Sequence, residues 1–571
     1  MYSIITVKNR LEKQLLELVN QHFSTSLDSI NVSFPTHSQN GDLTSNIALQ
    51  LAKALKSNPQ EIANQIIAKI ELPQEIAKAE IAGPGFINFF LANSYLTSYI
   101  QHFKGHDFHP LNQPSPTIIE YSQPNIAKPL GVHHIITTVL GQTLVNIGRF
   151  LGHNILAYNY LGDYGTQFGK LLVAIEKYNQ KKISDLNIHD LLDLYVLYHK
   201  KSELEPELDD LARNKSFALE NRDPAVQKIW ELIIKISEQD MQETYDMLGG
   251  IKFDVVDSES QRIPMLTGLL EEGKTQDIFE VGDKGAFVVN FPEADNLPPL
   301  LVQRSDGATV YATRDIATVK HRQTQVTPKE IIYVVDSAQS LHFRQFFAAS
   351  KRFSWFNPDS KLTHLSFGRM SFKHMAMSTR KGQIITLKDI INEATEKVLE
   401  IIKEKNPNLN NAQDVAQKVG VGALKYAILS TSPGKDIVFD KDSVLSFEGN
   451  TGPYLQYTYA RTKSILRKSS ELTHDTTSFE AEFNETEKEL IKKINSFKYS
   501  VQQSWNQRKP NILCLAIYEL SQVYNRFYAN NPVLTAPTQN LINQRLFLTQ
   551  AAANTLQTGL ELLGIYPVEE M

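Results

Sequence analysis

Residues 117–170, TIIEYSQPNIAKPLGVHHIITTVLGQTLVNIGRFLGHNILAYNYLGDYGTQFGK, constrain the fold more than any other stretch of the chain. Thr117–Tyr121 is short, apolar and β-branched, the pattern of a strand buried on both faces of a parallel sheet. Ser122-Gln123-Pro124-Asn125 supplies a turn, and apolar periodicity then predicts a helix over roughly 132–150. A second apolar run, His153–Tyr160, reads as another strand. Strand, helix and strand make a β-α-β unit, with its ligand expected where the first strand ends and the helix begins. Histidines at that helix start are placed to meet phosphates, because the free backbone N–H groups there already favour anions.

A chain of 571 residues needs several domains, since single cores stop growing well below this size. Its 42% hydrophobic and 21% charged content is that of an ordinary globular protein. The single cysteine, Cys514, falls in an apolar helical run and reads as a core thiol, which excludes a disulfide framework and a cysteine-rich zinc site. The N-terminal stretch lacks the pattern of a secretory signal, and no segment is apolar enough to span a bilayer, so a cytoplasmic location is the expectation. The formal net charge of −5 argues against a general nucleic-acid coat, but leaves room for a local positive surface.

The stretch from Glu120 through Pro124-Asn125-Ile126-Ala127-Lys128 to Gly131-Val132-His133-His134 resembles arginyl-tRNA synthetase, a class I aminoacyl-tRNA synthetase family. That family usually writes the last four positions as His-x-Gly-His, a signature that cradles ATP. Here His134 matches the final histidine, Gly131 stands where the first is expected, and His133 replaces the glycine. Ile136 stands where an arginine is common. Two readings stay open: the loop shifts so that His133 substitutes for the missing histidine, or ATP use is impaired.

The resemblance runs through the rest of the chain. Gly41-Asp42-Leu43, Asn46-Ile47-Ala48 and Gly83-Pro84-Gly85-Phe86 are similar to the family's N-terminal tRNA-binding domain. Within it Leu11, Leu15 and Leu18 give one helix face, and Asn58, Pro59 and Glu61 form a capping-box pattern. Residues 171–250 are acidic and helical and read as a solvated insertion, while Asp163 and Gln167 are expected to be structural. Strands return over 285–336, with Arg304–Gly307 as a turn. Tyr311 and Asp315 begin a helix, and the resemblance implies that they recognise the substrate guanidinium. A carboxylate can hold two guanidinium N–H groups in parallel, which a lysine ammonium cannot reproduce. By family position Asn125 and Gln339, helped by Glu120, orient the arginine main-chain groups, and His342 faces the adenosine. The second signature loop, usually Lys-Met-Ser-Lys, reads Ala376-Met377-Ser378-Thr379 followed by Arg380-Lys381-Gly382. Charge near the leaving pyrophosphate is then expected from Lys128, Arg380 and Lys381. Gly422–Tyr426 and Asn450–Arg461 resemble the family's helical anticodon-binding domain, with Tyr454, Tyr457, Tyr459 and Arg461, and Asn46 at the other end of the chain, implied as tRNA contacts.

The expected fold is multidomain α/β. A small α/β N-terminal domain over 1–105 and a linker over 106–116 precede a Rossmann-like parallel-sheet core over 117–405, with a helical insertion at about 171–280 and the signature loop at 376–382; an all-α bundle over 406–571 follows. The implied activity is an arginine–tRNA ligase that uses ATP with Mg²⁺ as the nucleotide's companion, and L-arginine and tRNA(Arg), with no fixed protein metal site, no membrane and a monomeric state. Catalysis would rest on positioning and charge stabilisation, without a covalent enzyme nucleophile. The alternative is a non-catalytic tRNA-binding relative, motivated by Gly131, His133 and Ile136. Another class I ligase, such as one for cysteine, would call for a thiolate-selective zinc site that the sequence does not supply.

Overall fold

The structure, a computed structural model, describes residues 3–23, 25–35, 40–103, 105–106, 114–373, 385–469 and 482–571. The N-terminal unit contains α1 (Ile4–His22), β1 (Val32–Ser33), β2 (Leu43–Ser45), α2 (Ile47–Leu55), α3 (Pro59–Lys69), β3 (Ile76–Ala82), β4 (Phe86–Leu91) and α4 (Asn93–Gln101). Its strands form an antiparallel sheet in the order β1-β2-β4-β3. Leu11, Leu15 and Leu18 form the buried face of α1, as their spacing predicts. Asn58 caps α3 by accepting the Gln60 N–H at 2.8 Å, so the expected reciprocal box with Glu61 does not form.

The core begins with β5 (Thr117–Glu120), α5 (His134–Phe150) and β6 (Ile155–Leu161), close to the elements read from the sequence. Four helices follow, α6 (Thr166–Tyr178), α7 (Ile188–Ser202), α8 (Glu207–Glu220) and α9 (Pro224–Met247). Then come β7 (Val255–Ser258), α10 (Ile263–Thr275), a small antiparallel sheet of β8 (Glu280–Val281), β9 (Phe287–Val289) and β10 (Leu300–Gln303), α11 (Tyr311–Gln325), β11 (Glu330–Asp336), α12 (Ser340–Ser350) and β12 (Lys361–Phe367). The main sheet is parallel throughout, in the order β12-β11-β5-β6-β7. Strand order therefore reverses between β5 and β11, which opens a crevice at their carboxyl ends. Helix α5 lies hard against the end of β5, since a Cβ on Gly141 would sit 2.2 Å from Tyr121 Cγ.

The chain continues as β13 (Met370–Phe372), α13 (Leu387–Lys405), α14 (Ala412–Leu429), β14 (Ile437–Phe439), α15 (Lys441–Val444), α16 (Gly452–Ser469), α17 (Glu485–Asn506), α18 (Pro510–Asn530) and α19 (Gln539–Leu562). Strand β14 returns from the helical region to pair in parallel with β13. Helix α17 ties the units together. In its middle Lys492 pairs with Asp42 at 2.8 Å and Asn495 accepts the Ile4 N–H at 3.1 Å. At its end Trp505 packs on Gly148 and stacks on His153, with ring centres 4.8 Å apart. Cys514 is buried in α18.

Candidate active site at the switch of strand order

The segment after β5 makes a sharp turn that the surrounding interior holds in place. Ser122, Gln123 and Ala127 have φ of 73°, 49° and 69°, a left-handed conformation that costs a residue with a Cβ about 1–2 kcal/mol. Buried side chains accept the backbone N–H groups of all three. Ser122 donates to Thr137 Oγ1 at 3.1 Å, Gln123 to Asn159 Oδ1 at 3.2 Å and Ala127 to Ser237 Oγ at 2.8 Å. The Ser122 hydroxyl meets the Tyr245 hydroxyl at 2.8 Å, and Ile126 and Gly162 bind the loop to the end of β6. Thr137 also donates to Val334 O at 2.7 Å, which fastens α5 to β11 across the crevice. Asn125 is exposed on the lip of this turn.

Glu120 closes β5 and is buried below the turn. It accepts from Gln123 Nε2 at 2.6 Å and is ion-paired with Arg322 of α11. Burial pushes its carboxyl up and Arg322 pulls it back. It can steady the Asn125 turn through Gln123 but does not face the open crevice.

At the start of α5 the His133 ring folds over Gly131. A Cβ on Gly131 would lie 2.7 Å from His133 Cε1, so the imidazole fills the space into which a side chain at 131 would project. The rings of His133 and His134 are 4.0 Å apart, and His134 Nδ1 is 3.2 Å from Gly131 O. Burial, with His133 adding to it, lowers His134 to about 3. Burial lowers His133 as well, partly offset by the negative charge of Asp336. Both are therefore disposed to act as neutral hydrogen-bonding groups at a helix N-terminus. Lys128 holds its ammonium 4.2 Å from the ring centre of Tyr195 on α7, and burial lowers its pKa.

The opposite wall comes from α11, β11 and α12. Tyr311 is exposed at the first turn of α11, and Gln339 is exposed in the short turn after β11. Asp315 accepts from His342 Nε2 at 2.6 Å, so His342 meets the acid rather than standing apart from it. Glu259, which follows β7, has Arg314 Nε at 3.4 Å. Burial lifts its carboxyl to about 7, with Arg314 opposing and Asp315 and Asp163 adding. The buried Tyr160 hydroxyl feels Asp315, Glu259 and Glu120 together, and its pKa rises well above the usual value through burial and these charges. Three carboxylates thus act on the Tyr160 hydroxyl; with Glu120 matched by Arg322 and Glu259 facing Arg314, Asp315 is the one of the three without an arginine partner. Asp163 is structural, accepting from the N–H and hydroxyl of Ser260 at 2.8 and 2.5 Å.

Met377, Ser378, Arg380 and Lys381 fall outside the described residues. The chain is described again from Ile385, and Ile385–Leu387 bonds to Leu130–Val132, the run that leads into His133. No group of three or more His, Cys, Asp or Glu side chains placed to hold a metal is present among the described residues. No helix among them is long and apolar enough to cross a membrane.

A second cavity, of about 550 Å³, opens in the helical region between α13, α16 and α18. Tyr454, Tyr457, Arg461, Asn525 and Met571 line it. Arg461 donates to Asn525 Oδ1 at 2.7 Å and lies 5.0 Å from the Tyr457 ring centre. Tyr457 is exposed, whereas Tyr459 is buried with its hydroxyl on Gln557, so no base can stack on it without repacking the bundle. Asn46 is exposed at the start of α2 in the N-terminal unit and accepts from Gln50.

Three family patterns match the chain. They are described as the arginyl tRNA synthetase N terminal domain over 6–91, the class I (R) tRNA synthetase catalytic domain over 104–441 and the DALR anticodon binding domain over 455–571. The chain is 37% identical to the arginine–tRNA ligase of Fusobacterium nucleatum, with 98% of this chain and 99% of that protein covered. It is 38% identical to that of Halothermothrix orenii over the same shares. The chain belongs to the arginyl-tRNA synthetase family. The Thermus thermophilus arginyl-tRNA synthetase structure has the same fold, with a TM-score of 0.83, 25% identity and coverage of 99% and 100%.

Several supporting residues of this synthetase escape a reading of the sequence. The insertion is more than a solvated face, because α9 supplies Ser237 and Tyr245 to the strained turn and α7 supplies Tyr195 to Lys128. Glu259 was unmarked because a carboxylate after a short strand has no spacing signature. His342 meets Asp315, a contact that its place in the sequence does not announce.

Proposed function

We propose that this synthetase activates L-arginine with ATP and transfers it to the 3′-terminal ribose of tRNA(Arg), with the crevice between β5 and β11 as its active site. Asp315, joined through His342 to the ring of Tyr311, carries this reading. A pocket with surplus negative charge and an aromatic wall suits a guanidinium, whose planar fork can meet two carboxylate oxygens at once. Asn125 and Gln339, on facing lips, are suited to orient the arginine carboxylate and ammonium groups. Glu120 acts from below by holding Gln123. His133 and His134 serve ATP phosphates at the N-terminus of α5. Lys128, with Met377, Ser378, Arg380 and Lys381, serves the leaving pyrophosphate, and Mg²⁺ accompanies the nucleotide.

The arginine carboxylate oxygen attacks the α-phosphorus and pyrophosphate leaves; a ribose hydroxyl then attacks the adenylate carbonyl and AMP leaves. The chain's residues contribute alignment and charge stabilisation to both steps. The packing of His133 over Gly131 supports the reading in which the transposed histidine substitutes for the absent one. The Tyr454–Arg461 cavity is suited to an unpaired tRNA base, offering an aromatic face and a cation.

Arginylation of tRNA(Arg) by the purified chain tests the proposal. Activity in the native chain that is lost in Asp315→Ala supports it. Activity only after the joint exchange Gly131→His, His133→Gly would mean that the arginine pocket works and ATP positioning does not. No charging by either, with tRNA still bound, would replace the ligase reading with that of a tRNA-binding protein.

A further inference from the structure

His342 lies in the first turn of α12, where it joins the two residues assigned to the guanidinium. Its Nε2 is 2.6 Å from Asp315 Oδ2, and its ring meets Tyr311 edge-on at 4.6 Å between centres. The ring is held from behind by Phe346 at 5.0 Å and Phe343 at 5.9 Å. Because a carboxylate only accepts, the proton of this hydrogen bond resides on Nε2. The side chain of His342 is 12% exposed and that of Asp315 30%, so the acid faces the crevice and the imidazole stands behind it.

We infer that His342 is a positioning residue for arginine selection: it fixes one oxygen of Asp315 and the ring of Tyr311 so that the remaining carboxylate lone pairs are aimed at the substrate guanidinium. An aspartate on two rotatable bonds samples several orientations. A planar guanidinium gains its paired hydrogen bonds only when the carboxylate plane is set, whereas a lysine ammonium, a point charge, is nearly indifferent to that plane. Orientation by His342 therefore favours arginine over lysine, beyond what charge alone provides. The inference rests on the assignment of Asp315 to the guanidinium.

Steady-state arginylation kinetics of His342→Ala, His342→Gln and Asp315→Asn, with melting temperatures, test it. His342→Ala should raise KM for arginine about 10- to 100-fold, the range expected for a hydrogen bond to a charged group. KM for ATP and kcat should change far less, and discrimination against lysine should narrow. The amide of His342→Gln reaches the position of Nε2 and should restore most of the loss. A raised KM for ATP with an unchanged KM for arginine would overturn the inference and return His342 to the nucleotide. Equal loss of kcat and melting temperature in the Ala and Gln variants would overturn it in favour of simple packing. If Asp315→Asn leaves the arginine KM unchanged, the guanidinium assignment itself fails. If Asp315→Asn raises it and His342→Ala does not, only the role of His342 fails.

Discussion

Two buried cations in this molecule are stabilised in opposite ways. Arg322 lies beneath the crevice, ion-paired with Glu120, with Asp257 Oδ2 at 3.8 Å and the rings of Tyr158, Tyr160 and Tyr333 between 5.0 and 5.8 Å away. Lys425 lies on α14 at the seam between the core and the helical bundle, and its ammonium donates to Gly564 O with no carboxylate partner among the described residues. Burial works against both charges. Around Arg322 the acids outweigh it and hold the guanidinium charged, while burial alone takes Lys425 down to about 7. One is a permanent part of the site's electrostatics; the other changes charge near neutrality. Its surroundings are a cavity of about 380 Å³ lined by Gln142 and Asn146 of α5 and by Tyr566.

Removing Arg322 should give the largest effect. Arg322→Met leaves Glu120 buried without its cation, while Asp257 keeps Arg262; deleting one partner of a buried pair costs about 3–5 kcal/mol. Denaturant unfolding should show that loss, and arginylation should fall with it because Glu120 no longer steadies Gln123. Adding Glu120→Gln should recover part of the stability. A loss below about 1 kcal/mol would place Arg322 among ordinary surface changes and dissolve the contrast.

Lys425→Met should behave differently. With a folded pKa of about 7, below its ordinary value of 10.5, the lysine binds a proton more readily unfolded than folded between those limits. Native stability should therefore rise as pH increases through that window, by at most about 1.4 kcal/mol per pH unit from this group. Below about pH 7 the cost of the buried ammonium is fully present. The variant should lack this slope. It also loses the bond to Gly564 O, a penalty of about 1 kcal/mol that shifts the curve without tilting it. Urea midpoints of both proteins from pH 7 to 10 measure the difference, and parallel curves would refute it.

How far each region was legible in the sequence follows the same division. The β-α-β unit could be read because apolar runs and turn residues are local, and the crevice followed from it. The family blocks marked Asn125, Tyr311, Asp315 and Gln339. Arg322, in the polar run KHRQTQ, gave no sign of burial, because its carboxylates come from β5 and β7, 202 and 65 residues earlier in the chain. Lys425 stood in a recognisable block, but its isolation depends on how α14 meets the segment after α19. The aromatic run after Asn450 was half legible. Helical periodicity places Tyr454, Tyr457 and Arg461 on one face and turns Tyr459 inward, so residue type alone grouped a core side chain with its exposed neighbours.

Glu259 is the acidic counterpart of Lys425 and should produce a smaller change. Its carboxyl, lifted by burial to about 7 from an ordinary 4.5, holds a proton in the free enzyme below that pH. A bound guanidinium needs the carboxylate, so arginine binding should release the proton. The KM for arginine should fall by about tenfold from pH 6 to pH 8 and level off above, as linkage to a single proton requires. Glu259→Gln should give a high KM without this slope. A slope that survives the substitution would assign the titration to another group.

Arg461 supplies the third case, a half-buried cation held by neutral Asn525 and by the rings of Tyr457 and Tyr528, with no carboxylate partner among the described residues. Neither caged like Arg322 nor buried like Lys425, it is open to an anion from outside. Arg461→Gln should barely move stability. It should weaken tRNA(Arg) binding about fivefold and reduce the slope of log affinity against log salt by about 1, as loss of one phosphate contact does. Weaker binding with an unchanged salt slope would mean that the guanidinium meets a base rather than a phosphate. It would then belong with the aromatic wall, and only the two interior cations would remain to be compared as charges.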